Sequence, residues 1–559
     1  MQRTAYSEAV REGRDFSVAL YDGQARMVAQ GDYSPGHLGS MPEVVERILE
    51  TYPIETLAAD DSIILNDPWL GSGHLPDFLL ALPVFLDDIL VGFAVSCVHM
   101  VDVGGAVSGS QAVAGINDVY QEGLRLLPTR LWRRGRCNTE VMRIIEANVR
   151  VPEKLRGDLD AMRACNHVAG RELRLLVERV GYDTYERACG AILTQSEQAM
   201  RESIHEIPDG RYAAVDHLDD SGPDSKPVRI EAAVVVAGDA LEIDFSGSSG
   251  RTRSGINSVA NYSRAYCFFV VKAVTHGASL PQNAGSIRPI GWRAPEDSVM
   301  NVSPPSGVGA RAIMQQRIVD VLMQALAEVL PDRVVAPCGH WANPVIGGTD
   351  PRTGKPFVFY DIIVGGWGGR LGRDGMEAMC ASFNIDGIPA EVNEHSYPVL
   401  IECCELIPDS AGPGRWRGGH GIKKDVRVLG EDMHLVNLGD RHRFPPPGIF
   451  GGGAGAMAET VINPDFAAEK LHSKAWRQLS GQDVVSQRLS GGGGYGDPLE
   501  RDPASVAGDV RAGVLTERRA AQVYGVILHE DRRVDQTATT AKRQAARRAP
   551  QRLSPTATG

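Results

Sequence analysis

The sequence predicts a mixed α/β (α+β) protein of several domains. Short β-prone runs separated by Gly, Pro and Asp turns fill residues 1–135, long stretches of helical spacing follow over 136–208, and alternating strands return from 209. At 559 residues the chain is also longer than one hydrophobic core serves, so division into several folding units is expected.

In the first region the runs FSVALYD, RMVAQ and SIILND read as strands, and FLLALPVFL, Asp87-Asp88 and ILVGFAVSCVH read as one β-hairpin closed by an acidic turn. The helical region is expected to be interrupted at Pro152 and closed at Gly181. Residues 209–500 read as a second α/β region: RYAAVDHL and VRIEAAVVVAGDALEIDFSG as strands, ARAIMQQRIVDVLMQALAEVL as a helix, then Gly-rich loops between short strands. Residues 501–528 read as a small helical appendix. Residues 529–559, charged and poor in large apolar side chains, read as a disordered basic tail.

Apolar content of 43% and charged content of 23% are those of a soluble globular protein, and 62 glycines imply many turns or close backbone approaches. A formal net charge of −12 argues against a nucleic-acid partner, since phosphate backbones want clustered Lys and Arg. Nine cysteines without a C-x-x-C pair give no disulfide or thiolate-metal framework. With no signal-type segment and no run long enough to span a bilayer, a cytoplasmic protein without membrane attachment is expected.

Chemistry concentrates in two His-x-x-Asp units, His74 to Asp77 and His99 to Asp102, one at each end of the hairpin. Folding the hairpin brings the Asp77 region opposite His99, where facing residues of paired strands lie about 5 Å apart. Imidazole and carboxylate without thiolate suit Zn²⁺, Mn²⁺ or Fe²⁺. The blander alternative is that both histidines bond backbone in packed loops. Two nucleotide-like strings are set aside. In Gly348 to Lys355, Pro356 stands where a phosphate loop needs Ser or Thr, and Gly451 to Ala456 follows Pro445-Pro446-Pro447 where a dinucleotide fold needs a strand, so both read as turns. Gly365 to Arg370 and Pro413 to His420 read as turn and loop.

Several strings together resemble the hydantoinase B/oxoprolinase family, which includes the metal-bearing subunits of acetone and acetophenone carboxylases. They are Glu12 to Ser17, Pro35 to Met41, Asn66 to Asp77, His99 to Gly105, Glu122 to Arg125, Asn148 to Arg150, Gly366 to Gly375, Arg417 to Gly419 and Gly491 to Pro498. The resemblance implies a subunit of an ATP-dependent hetero-oligomer, whose hydantoinase A-like partner uses ATP and Mg²⁺ to phosphorylate a carbonyl oxygen. It implies one divalent metal ion (Mn, Zn or Fe) held by Glu12, His74, Asp77 and His99, with Asp102 behind His99. His37 is a candidate acid/base group or substrate contact, or a plain loop histidine.

The expected reaction is opening of a cyclic amide such as a hydantoin, 5-oxoproline or a lactam. Carboxylation of a ketone, or a non-catalytic assembly role, are the alternatives. One departure stands out: the family's Asn-Val-Glu-Thr-Ser-Gln-like string before the helix is replaced here by Gly309 to Gln316. If that string meets substrate, the specificity of this member is unusual.

Overall fold

The computed structural model describes residues 1–31, 34–275, 280–379 and 382–548. Its N-terminal body is an antiparallel seven-stranded sheet of β1 (Phe16–Asp22), β2 (Met27–Gln30), β3 (Ser62–Leu65), β4 (Asp77–Leu86), β5 (Ile89–His99), β6 (Thr129–Arg133) and β7 (Arg136–Cys137). The strand order is β2-β1-β5-β4-β3-β6-β7, so the β4–β5 hairpin is central. That position explains its unbroken apolar run: both faces are covered, and β4 is buried from Asp77 to Val84. Asp87 takes the left-handed turn conformation (φ 50°), which Asp tolerates.

Helices α1 (Glu8–Arg11), α2 (Pro35–Ser40) and α3 (Val44–Thr51) precede β3, and α4 (Thr139–Ala147), α5 (Pro152–Val180) and α6 (Tyr182–His205) follow the sheet. The helical stretch breaks after Ala147 as expected, and Pro152 starts α5, where a missing N–H costs nothing. Gly181, at φ 82°, joins α5 to α6. Asn166 on α5 donates to Leu80 O at 2.8 Å, pinning the helix to β4.

A second sheet, ordered β11-β10-β9-β8, comprises β8 (Gly210–Leu218), β9 (Val228–Ala237), β10 (Ala240–Asp244) and β11 (Ile290–Arg293). Helices α7 (Ala260–Val274) and α8 (Ala312–Leu326) share its core, which runs on into residues 341–360. Buried charges tie α8 to the C-terminal third: Arg317 Nη2 lies 2.5 Å from Asp440 Oδ2 and Lys474 Nζ lies 3.0 Å from Asp440 Oδ1.

The Gly-rich strings are not isolated turns. Residues 365–369, 412–421, 448–455 and 491–496 lie side by side and bond across, Gly369 N to Gly493 O at 2.8 Å and Gly412 N to Gly492 O at 2.8 Å. A Cβ at Gly368 would stand 1.7 Å from Ala336 O, so the spacing between neighbouring backbones admits no side chain. The high glycine content answers to this close approach more than to turns.

Helix α9 (Ala390–Ser396) sits within the C-terminal third, and α10 (Pro503–Arg511) and α11 (Glu517–Val523) form the appendix. The expectation of a disordered tail is corrected for much of its length: α12 (Gln536–Arg548) docks on the appendix through Ile527 N to Thr539 Oγ1 at 3.0 Å and Arg543 Nε to Tyr524 O at 2.9 Å. Its Ala, Arg and Gln are strong helix formers, and backbone carbonyls supply the docking that apolar side chains do not. The last part of that stretch, 549–559, lies outside the described residues. Among the described residues no helix is long and apolar enough to cross a membrane.

Candidate metal centre

Asp77 opens β4, His99 closes β5, and the two are direct cross-strand partners. The N-terminus of β1 is pinned alongside, because His99 N donates to Asp15 O at 3.1 Å. His74 arrives on the Gly71–Ser72–Gly73 loop, whose Gly73 at φ 96° passes so close to Arg311 that a Cβ would meet its Cδ at 2.8 Å. His37 lies on α2, which packs on α7 through Gly39, where a Cβ would lie 2.5 Å from the Ala265 Cα. Four segments distant in sequence therefore meet at one carboxylate.

Around Asp77 Oδ1 stand His74 Nε2 at 2.8 Å and His99 Nδ1 at 2.9 Å. On the other oxygen, Oδ2, are His37 Nε2 at 3.2 Å, the Arg311 guanidinium and the Ser72 hydroxyl. All of these side chains are buried. His37, His74, Asp77, His99 and Arg311 line a narrow cavity of about 20 Å³ together with Asp15, Gln111, Gln315, Trp341 and Asn343.

The tautomer of His74 is forced. Its Nδ1 faces the Gly309 carbonyl at 3.1 Å and must donate, so Nε2 carries a lone pair and has no hydrogen-bond partner although Asp77 Oδ1 is 2.8 Å away. Burial, then the Arg311 charge, push the His74 pKa down to about 3, which keeps the ring neutral. Two lone pairs facing each other with no proton between them are the arrangement a shared cation relieves. His99 completes a set of three in which ligand-type atoms of His74, Asp77 and His99 lie within 4.8 Å of one another. Gln111 Nε2 lies 3.1 Å from His99 Nε2; turned end for end, the amide would accept from Nε2 and leave Nδ1 as a ligand.

The charges balance locally. Burial alone would raise the Asp77 pKa, but the charges of His37 and Arg311 hold it well below the ordinary carboxylate range. Burial alone would lower the His37 pKa, but Cys97 and Asp77 hold it well above its ordinary value. The donor set thus fits one divalent ion on Asp77 Oδ1, with Oδ2 reserved for protein cations.

The Hydantoinase B/oxoprolinase family model matches residues 1–498. The chain belongs to this family. It is 30% identical over 563 residues to the caprolactamase subunit beta of Pseudomonas jessenii, covering 98% of this chain and 95% of the relative. The solved ATP-dependent caprolactamase from Pseudomonas jessenii superposes with a TM-score of 0.87 at 28% identity, over 95% of this chain and 93% of that one. A nucleotide-free acetone carboxylase structure gives a TM-score of 0.90 at 20% identity, over 98% and 80%, which is a likeness of fold.

For a hydantoinase B/oxoprolinase family chain, the structure sorts the sequence-derived residues clearly. His74, Asp77 and His99 converge and His37 joins them. Glu12 does not: it caps α1, pairs with Arg11 at 2.9 Å and lies outside the cavity, which Asp15 lines instead. Asp102 does not stand behind His99 either. Its oxygens accept from Gly104 N, Gly109 N and both the backbone and side chain of Arg150, so it shapes the loop after β5. Sequence reasoning missed Asp15 and Arg311, although each lay inside a string already singled out.

Proposed function

We propose that this chain is the metal-bearing subunit of an ATP-dependent complex that opens a cyclic amide after a hydantoinase A-like partner has phosphorylated its carbonyl oxygen. The observation that carries the reading is the buried convergence of His74 Nε2 and His99 Nδ1 on Asp77 Oδ1. A divalent ion held by these three atoms would supply Lewis-acid polarisation of a carbonyl and activation of water. Mn²⁺, Zn²⁺ and Fe²⁺ all accept two imidazoles and a carboxylate.

The chain's own residues do the rest. Gly309 O fixes the His74 tautomer, and Asp77 uses Oδ2 to hold Arg311 and His37 while Oδ1 faces the ion. His37 Nε2, 3.2 Å from Asp77 Oδ2, is the imidazole beside the ligand set that is left out of it, and serves as general acid toward the departing nitrogen. Nucleotide chemistry is assigned to the partner because neither phosphate-loop-like string here is one. Gly347 and Gly348 belong to the strand Val345–Thr349, and Gly452 and Gly453 are packed against the Gly494 backbone and Pro413.

Hydrolysis is preferred to ketone carboxylation because the 30%-identical relative is named as a caprolactamase subunit, whereas the acetophenone carboxylase delta subunit of Aromatoleum aromaticum is 26% identical and the acetone carboxylase likeness reaches the fold alone. The test is metal content and amide-opening activity of the purified complex with His74→Ala and His99→Ala. Both should lose metal and activity together, and full activity with both histidines removed would end the metal reading. Isotope-labelled bicarbonate separates the chemistries: label in a stable carboxylate means carboxylation, not hydrolysis.

A further inference from the structure

One wall of the cavity carries donors left unspent. Arg311, 3% exposed, spends Nε on Ser72 O at 2.8 Å and Nη2 on Asp77, and its Nη1 makes no hydrogen bond among the described residues. Gln315, 1% exposed, receives the Tyr262 and Tyr266 hydroxyls on Oε1, which leaves its Nε2 buried and unpartnered. Trp341, also 1% exposed, has an indole N–H with no partner. All three line the same cavity as the His74, Asp77 and His99 set. The unspent donors on this wall are thus one guanidinium nitrogen and two N–H groups, and the orphaned acceptors of the cavity are Asn343 Oδ1 and His74 Nε2, the latter kept for the ion.

Buried donors left without acceptors are destabilising, so a wall of this kind is stable when an occupant brings the acceptors. The guanidinium is also held in place, 3.5 Å over the Tyr262 ring and bound to Ser72, so little side-chain entropy is lost when it binds. Arg311 stands at the N-cap of the 15-residue α8, where the helix dipole favours negative charge as well.

We infer that Arg311, Gln315 and Trp341 form an oxyanion subsite beside the metal ligands, which takes a carboxylate or phosphoryl group of the reacting molecule. This rests on the cyclic-amide reading for what the group belongs to, but not for the binding itself. It also gives the departing string Gly309 to Gln316 a role, because Arg311, Ala312 and Gln315 reach the cavity. Arg311 Nη1 brings a charged donor to one oxygen of the group, and the two neutral donors take the remaining lone pairs.

The experiment is calorimetric titration of the full chain, metal-loaded and chelator-treated, with inorganic phosphate, acetate and bicarbonate as separate probes. Metal content is measured in parallel, so failure of the metal site and failure of the subsite register independently. At least one probe should bind, tighter for phosphate if the group is phosphoryl and tighter for the carboxylates if it is not. Arg311→Gln should weaken that probe about tenfold or more, and Trp341→Phe, which keeps the ring and removes only the N–H, severalfold. Trp341→Phe should leave metal content unchanged. The subsite is overturned if no probe binds either form, or if the affinities of Arg311→Gln and Trp341→Phe, both folded by circular dichroism, equal that of the unaltered chain.

Discussion

Replacing Asp77 by Asn tests the electrostatics of the centre without reference to any substrate. The Asp77 side chain is fully buried and that of Arg311 is 4% exposed, and the pair is in direct contact. Asn keeps the shape but cancels the charge, leaving the guanidinium buried with only the Ser72 carbonyl and an amide oxygen to face. Stranding one member of such a pair costs about 3–5 kcal/mol, and the nearby His37 loses the same counter-charge. Removing the second charge as well should recover part of this. Asp77→Asn with Arg311→Gln is expected to be at least about 2 kcal/mol more stable than Asp77→Asn alone. The assay is urea unfolding followed by tryptophan fluorescence on chelator-treated protein, so that metal binding does not contribute. A single variant within about 0.5 kcal/mol of the unaltered chain, or a double variant no better than the single, would refute the reasoning.

The remaining predictions concern ligand choice, pH and packing. Glu12→Ala should keep its full complement of metal, whereas Asp77→Asn, even where it folds, should lose it; metal analysis of the purified complex decides. Glu122 is buried with its Oε1 accepting from Val308 N and Gly309 N at 2.6 Å each, and burial pushes its pKa up to about 8. A carboxyl raised in the folded state binds more protons folded than unfolded between its ordinary pKa of 4.5 and about 8, so its contribution to stability falls as pH rises through that window. Glu122→Gln keeps an acceptor and removes the titration, so it should be more stable than the unaltered chain at pH 8 but not at pH 4.5, as read by thermal unfolding at both. Gly368→Ala, whose Cβ would lie 1.7 Å from Ala336 O, should prevent soluble expression. Gly190→Ala, inside α6 with nothing within 4 Å of the added carbon, should instead stabilise by about 0.5–1 kcal/mol, measured as a raised unfolding temperature.

Much of the N-terminal region was legible because its signals are local. An apolar run with an acidic turn specifies a hairpin, and the hairpin alone puts Asp77 against His99. The same locality explains the errors. His-x-x-Asp reads identically at both ends of the hairpin, yet Asp77 is fixed by strand pairing, while Asp102 lies beyond the strand end on a loop where Gly104, Gly109 and Arg150 claim its oxygens. Nothing in three residues of spacing distinguishes the two. Likewise Glu12 and Asp15 share one short string, and which of them reaches the cavity depends on where α1 ends and β1 begins.

Arg311 shows the sharper limit. It is 234 residues from Asp77 in sequence and arrives only because α8 packs across the second sheet with its N-terminus toward the hairpin. Once there, it changes what the ligand set is. Without it, Asp77 Oδ2 would keep only His37 and the Ser72 hydroxyl, and His74 would lack one of the influences that keep it neutral. With it, Asp77 offers one oxygen, the protein has already spent a charge on the other, and an ion bound by the three ligands would leave a centre short of negative charge. A centre so built favours an anionic reactant over a neutral one, so the departing string and the metal ligands act on the same choice of substrate.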